Sequence, residues 1–141
     1  MPIRAVTPML NVSDVPASIE WFESLGWSRG FTWPQDDPQP GFAPSFGSVC
    51  AGDAEIFLCK DAQGSRGMIM PCVPGDDRTD GVWMSWWLDN PAEVDALHET
   101  ALNLGLIVTY PPTDTLRGVR EFHLRHPDGH TIRVSAGTGH E

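Results

Sequence analysis

The segment REFHLRHPDGH, residues 120–130, holds three of the five histidines, His123, His126 and His130, the side chains to weigh first for metal chemistry. Imidazoles and carboxylates can relay a proton or grip a divalent cation. Zinc-like sets, however, place two donors on one helix face or around a compact knuckle. His123, His126 and His130 straddle a hairpin turn and are not expected to converge. His98 falls between apolar positions of a predicted helix and is expected on its surface or flank, and His140 in a frayed tail. Cys50, Cys59 and Cys72 form no CxxC pair and have no basic partner close in sequence. GxSxG, GxGxxG and P-loop patterns are absent. The sequence offers no catalytic constellation.

It offers binding chemistry instead. Six Trp stand beside a single Tyr, and indole rings attract stacked aromatic groups and cations. A net charge of −10 argues against nucleic acid, which needs clustered Lys and Arg. The same charge suits either a cationic partner or plain solubility. Three cysteines without disulfide spacing read as reduced thiols. No stretch approaches the roughly 20 apolar residues that cross a bilayer, and MPIRAVTPML lacks a signal-peptide pattern. A cytoplasmic protein without membrane contact is expected.

The elements that must position these residues follow from periodicity. Residues 4–12 read as a strand, with Ser13 or Asp14 capping a helix that carries Pro16 in its first turn. Ile19, Trp21, Phe22 and Leu25 give that helix an apolar stripe, and Gly26 ends it. Strands are predicted at 27–33, 45–51 and 55–60, with a proline-rich loop at 34–44 and a tight turn at Gly52-Asp53. A second series repeats the first: strand 82–88, a helix capped by Asn90 and ended by Gly105, then strands 106–110, 119–125 and 131–134, with a loop at 111–116. Pro16-Ala17 recurs as Pro91-Ala92, and Leu25-Gly26 as Leu104-Gly105.

This is a duplicated module. The expectation is an α+β fold of two βαβββ modules, residues 1–60 and 81–136, pairing into a cupped mixed sheet around a cleft. Residues 61–80 are the linker or a mobile cover, and 137–141 a tail.

The opening TPMLNVSDVPASIEWFESLGWSRGF, the WWLDNPAEVDAL stretch and the closing REFHLRHPDGH resemble the glyoxalase/bleomycin resistance/dioxygenase (vicinal oxygen chelate) superfamily, closest to its bleomycin-resistance branch. The resemblance spans nearly the whole chain. It implies that enzymes of this fold hold one divalent metal with His and Glu from the first and last strand of each module. The matching positions here are Thr7, Phe57, Trp83 and Arg133. Phe and Trp offer no lone pair, and a guanidinium repels cations. No metal and no cofactor are expected.

With Trp83 at a ligand position, strand alternation turns Ser85 and Trp87 into the cleft as well. Met84, Trp86 and Leu88 then pack under the helix, and Trp21 is read as core. Thr7, Met9, Asn11, Phe57, Cys59 and Arg133 line the cleft on the same logic. Phe31 and Trp33 face either cleft or core. Glu121 either attracts a basic drug or pairs with Arg120 or Arg133. The resemblance also implies a homodimer whose first strand crosses near Pro8.

The resulting expectation is a metal-free protein that sequesters an aromatic, cationic small molecule, as bleomycin-type resistance proteins do. Its ligand-binding residues are Thr7, Trp33, Phe57, Trp83, Ser85, Trp87, Glu121 and Arg133. The rivals are a glyoxalase- or dioxygenase-type enzyme acting on a small carbonyl or aromatic substrate, and an assembly component whose cleft is filled by its own tryptophans.

Overall fold

Asp14 is the residue that opens the first helix: its carboxylate accepts the Ala17 N–H at 3.0 Å. The computed structural model describes residues 2–34, 43–67 and 81–139. The chain divides into two units, Met1–Gly64 and Ser65–Glu141, so the division falls inside the segment read as linker or cover. Residues 68–80 of that segment and 35–42 of the proline-rich loop lie outside the described residues.

The first unit runs β1 (Met9–Val12), α1 (Val15–Ser24), β2 (Ser28–Trp33), β3 (Phe46–Ala51) and β4 (Ala54–Lys60). Its sheet has the order β1-β4-β3-β2, with β1 parallel to β4 and the other pairs antiparallel. The second runs β5 (Trp83–Trp87), α2 (Pro91–Asn103), β6 (Ile107–Asp114), β7 (Val119–Arg125) and β8 (Thr131–Gly137). Its order is β5-β8-β7-β6, again with one parallel pair, β5 and β8. The chain is thus α+β, a βαβββ module made twice.

Each helix covers one face of its own sheet. In the first unit Val15, Ile19 and Phe22 are buried together with Leu10, Val12, Val49, Ile56 and Leu58. In the second, Val94 and Ala101 are buried with Phe122, Leu124, Ile132 and Val134. Burying each large apolar side chain contributes about 1.5–3 kcal/mol. Trp21 and Trp86 belong to these cores, and His98 packs edge-on against Phe122 at 5.2 Å between ring centres. Because strands alternate, the polar residues of β7 and β8 are left on the opposite face. That face carries the chemistry.

Three strands differ from the expected bounds by more than one residue. The first begins at Met9 rather than residue 4 because Pro8 has no N–H to donate; its carbonyl accepts from Phe57 N at 2.9 Å, and the ladder starts after it. β6 continues through Pro111 and Pro112, where a loop was expected. It lies at the edge of the sheet, where a missing donor costs no ladder bond, and its register shifts on both sides of Tyr110. β8 extends past Val134 to Gly137, pairing with the full length of β7, so the expected tail starts inside the sheet.

The β7–β8 turn needs its glycine. Gly129 has φ +84°, and a Cβ there would run into the backbone of Gly67. Gly67 N donates to Asp128 O at 2.9 Å, and Arg66 approaches Asp128 at 3.8 Å. Among the described residues, no helix is long and apolar enough to cross a membrane.

Candidate functional site

On the face of the second sheet opposite Phe122, residues in register form rows across all four strands. One row runs Tyr110, His123, Arg133, Ser85; the next runs Thr113, Glu121, Ser135, Trp87. Glu121 is 3% exposed yet fully partnered. Its Oε2 accepts from Arg133 Nε at 2.9 Å and lies 2.7 Å from His123 Nε2. Its Oε1 accepts from Arg133 Nη2 at 3.1 Å and Arg117 Nη2 at 3.0 Å. The bidentate Arg133 hydrogen bonds hold the carboxyl well below its ordinary value, at about 2, against the opposing effect of burial and with added help from His123. Glu121 is therefore an anion at any physiological pH and a poor proton acceptor.

Rings stand around this ionic centre. Tyr110 stacks on the His123 imidazole with ring centres 4.6 Å apart, and Trp83 meets the same imidazole edge-on at 5.6 Å. Trp83, Tyr110, Thr115 and Arg117 line a pocket of about 300 Å³ together with Glu121, His123 and Arg133. That volume is at the small end of the range for small-molecule sites. The pocket offers flat rings for stacking and guanidinium N–H groups for hydrogen bonding.

Of the expected site residues, the structure gathers Trp83, Glu121 and Arg133 here. Ser85, half-buried, is the register partner of Arg133 but does not line the pocket, and Trp87, 67% exposed, lies opposite Ser135 beyond it. Between its two expected pairings, Glu121 takes Arg133; Arg120 points the other way, to Asp95 at 2.8 Å and Asp114 at 3.0 Å. The other three residues belong to the first unit. Phe57 packs in a three-ring cluster with Phe31 and Phe46, at 5.7 and 5.3 Å between ring centres. Trp33 is 62% exposed beside Phe46. Thr7 is half-buried just ahead of β1.

Four lining residues escaped the sequence reading: Tyr110, Thr115, Arg117 and His123. Alternation from Glu121 places His123 on the same face, so that signal was available. Arg117 and Tyr110 come into range because β6 keeps pairing through two prolines. The remaining histidines of the hairpin are structural: His126 and His130 are fully buried, with Nδ1 accepting the N–H of Asp128 and of Val82, each at 3.0 Å.

Residues 4–134 match the family model described as the Glyoxalase/Bleomycin resistance protein/Dioxygenase superfamily. The chain belongs to this superfamily. Among solved structures, the chain is similar to a bleomycin resistance determinant encoded on the transposon Tn5, at 17% identity and a TM-score of 0.64, covering 96% of this chain and 98% of that one. It is also similar to the fosfomycin resistance protein FosX of Listeria monocytogenes, whose structure holds Mn(II) and a dihydroxypropylphosphonic acid, at 14% identity, TM-score 0.70, covering 99% and 95%. A lactoylglutathione lyase of Agrobacterium tumefaciens matches at 19% identity, TM-score 0.67, covering 97% and 96%. At these identities the likeness is one of fold. No curated protein matches the chain. The superfamily thus includes both drug-resistance proteins and enzymes, and fold alone does not choose between them.

The donor set at the superfamily's metal positions does not fit a divalent cation. Trp83 and Phe57 present rings, Thr7 a hydroxyl, and Arg133 a guanidinium already bound to Glu121. Among the described residues, no three His, Cys, Asp or Glu side chains converge as a metal would need. Glu121, the nearest carboxylate, spends both oxygens on N–H donors.

Proposed function

We propose that this protein binds a small planar aromatic molecule without a metal, holding it in the second-unit pocket against Trp83 and Tyr110. The observation that carries this reading is the state of Arg133. It stands at a position where the family resemblance implies a metal ligand, and its guanidinium is bound through Nε and Nη2 to Glu121. A guanidinium there disfavours a metal cation, whereas Trp83, 42% exposed in the same pocket, offers indole surface to a ligand. Stacking on such a ring contributes on the order of 1–3 kcal/mol by analogy with nucleobase stacking.

By analogy with the Tn5 bleomycin resistance determinant, the biological role is sequestration of a natural product in the cytoplasm. In the same reading the protein is a homodimer, its chains crossing near Pro8, which light scattering tests directly.

The test of function is titration with a panel of polycyclic and glycopeptide natural products, read by Trp fluorescence and calorimetry, with and without EDTA. Binding at micromolar Kd, unchanged by EDTA and weakened about tenfold or more by Trp83→Ala, supports the reading. Binding that EDTA abolishes points to the metal-dependent enzyme class and overturns it.

A further inference from the structure

The pocket carries the opposite charge from the chain as a whole. The protein has only nine Lys and Arg against nineteen Asp and Glu, yet two of those cations, Arg117 and Arg133, line this pocket with one carboxylate, Glu121. Counting the two guanidinium groups against the one carboxylate, the lining holds one uncompensated positive charge. A carboxylate has about four acceptor sites, and the four contacts from Arg133, Arg117 and His123 occupy them. Glu121, 3% exposed, therefore has nothing left to offer a cationic ligand.

The two arginines differ in what they have left to give. Arg133 is held in a two-point grip and its side chain is 28% exposed. Arg117 reaches Glu121 through Nη2 only, from a side chain 66% exposed, just after Thr115 in the turn between β6 and β7. If Arg117 turns toward a ligand, Glu121 Oε1 keeps its hydrogen bond from Arg133. The structure can release Arg117 without stranding a buried charge. A guanidinium presents a planar fork that matches a carboxylate in two parallel hydrogen bonds. The rings of Trp83 and Tyr110 stand in the same pocket, so one molecule can meet both. The chain's overall charge of −10 repels anions at a distance, but at physiological salt that repulsion is screened beyond roughly 8 Å.

We infer that the pocket selects a planar aromatic carboxylate, with Arg117 as the residue that reads the ligand's charge. This deepens the aromatic-binding reading and rests on it. It also reverses the ligand charge expected from composition, because the one acidic group in the pocket is buried and neutralised.

Three probes of one shape test it by calorimetry on the intact chain: naphthoate, its neutral amide naphthamide, and the cation naphthylmethylammonium. The expected result is naphthoate binding roughly ten- to a hundredfold tighter than naphthamide at low salt, the range of a charge-assisted hydrogen bond. That preference should shrink as salt rises. Arg117→Gln should reduce the naphthoate-to-naphthamide ratio to about threefold or less, whereas Arg29→Gln, the same charge change on β2, leaves it intact. Circular dichroism checks that each variant folds, and the salt series on the unmodified protein stands independently of any variant. Equal affinity for the three probes, or tighter binding of the ammonium, overturns the charge assignment and leaves aromatic binding standing. Failure of all three probes to bind overturns both.

Discussion

Arg133 and Glu121 join through two hydrogen bonds, Nε to Oε2 at 2.9 Å and Nη2 to Oε1 at 3.1 Å, across neighbouring strands of the second sheet. They are not register partners: Arg133 lies opposite His123, and Glu121 opposite Ser135. The long guanidinium reaches diagonally to the next row, which is within range for such side chains on one face. The pair makes Arg133 part of an ion cluster with its own internal acceptor.

Breaking that cluster should destabilise the fold. Glu121→Gln removes the charge that two arginines and His123 converge on, and leaves Arg133 facing a neutral amide. Both arginines keep some contact with water, so the expected cost is about 1–3 kcal/mol rather than the larger penalty of a fully buried orphan charge. Urea unfolding at neutral pH measures it, and a midpoint equal to that of the parent protein would show that the cluster contributes nothing.

Acid should lower the protein's stability in two pH windows. Burial, aided by the neighbouring His130 and opposed by Asp128, pushes the His126 imidazole down from 6.5 to about 3. Between those values the unfolded chain takes up a proton that the native state refuses. Stability therefore falls as pH drops below 6.5, by up to about 1.4 kcal/mol per pH unit. Glu121 is shifted from 4.5 to about 2, so its contribution is complete above 4.5 and lost as pH falls from there toward 2. Between 6.5 and 4.5 the His126 contribution is lost before that of Glu121 begins to go. His126→Asn keeps an acceptor for the Asp128 N–H and should flatten the urea midpoint across that window. An unchanged slope would remove His126 as the cause.

The fold was legible because hydrophobic alternation and helix punctuation repeat along the chain: Asn90 caps α2 through Glu93 N at 3.0 Å, and Gly26 and Gly105 follow the two helices with positive φ. The site was legible only in part. Trp83 and Arg133 follow from strand register and from the family's ligand positions. Arg117 depends on where a bulged, proline-containing edge strand returns, which no local propensity specifies. The sign of the pocket was hidden for a similar reason. Composition counts Glu121 as one acidic residue among nineteen, but its guanidinium partners on β8 and in the turn before β7 cancel it.

Two tryptophans three residues apart should separate folding from binding. Trp86 is 9% exposed in the core and Trp83 is 42% exposed at the pocket, and their odd spacing on β5 sets them on opposite faces. Trp86→Ala should cost roughly 3–5 kcal/mol. Trp83→Ala should cost under about 1 kcal/mol while removing most of the aromatic affinity. Paired urea and ligand titrations on the two variants decide it; the same stability loss in both would mean that Trp83 is a core residue and the pocket a packing gap.

Divalent metals should leave the protein's stability unchanged. Any ion at free concentration c that binds only the native state raises the unfolding free energy by RT ln(1 + c/Kd), so a micromolar site with the ion at about a thousand times Kd adds roughly 4 kcal/mol. That is a large upward shift in Tm for a chain of 141 residues. Trp83 offers a ring and no donor lone pair, and Arg133 places a fixed positive charge in the second-unit pocket. Thermal unfolding with excess Zn, Ni, Mn or Fe(II) should therefore reproduce the melting curve seen in EDTA. A rise of several degrees with one of these ions, together with about one equivalent retained after gel filtration, would place a cation in the protein and return it to the metal-dependent side of its superfamily.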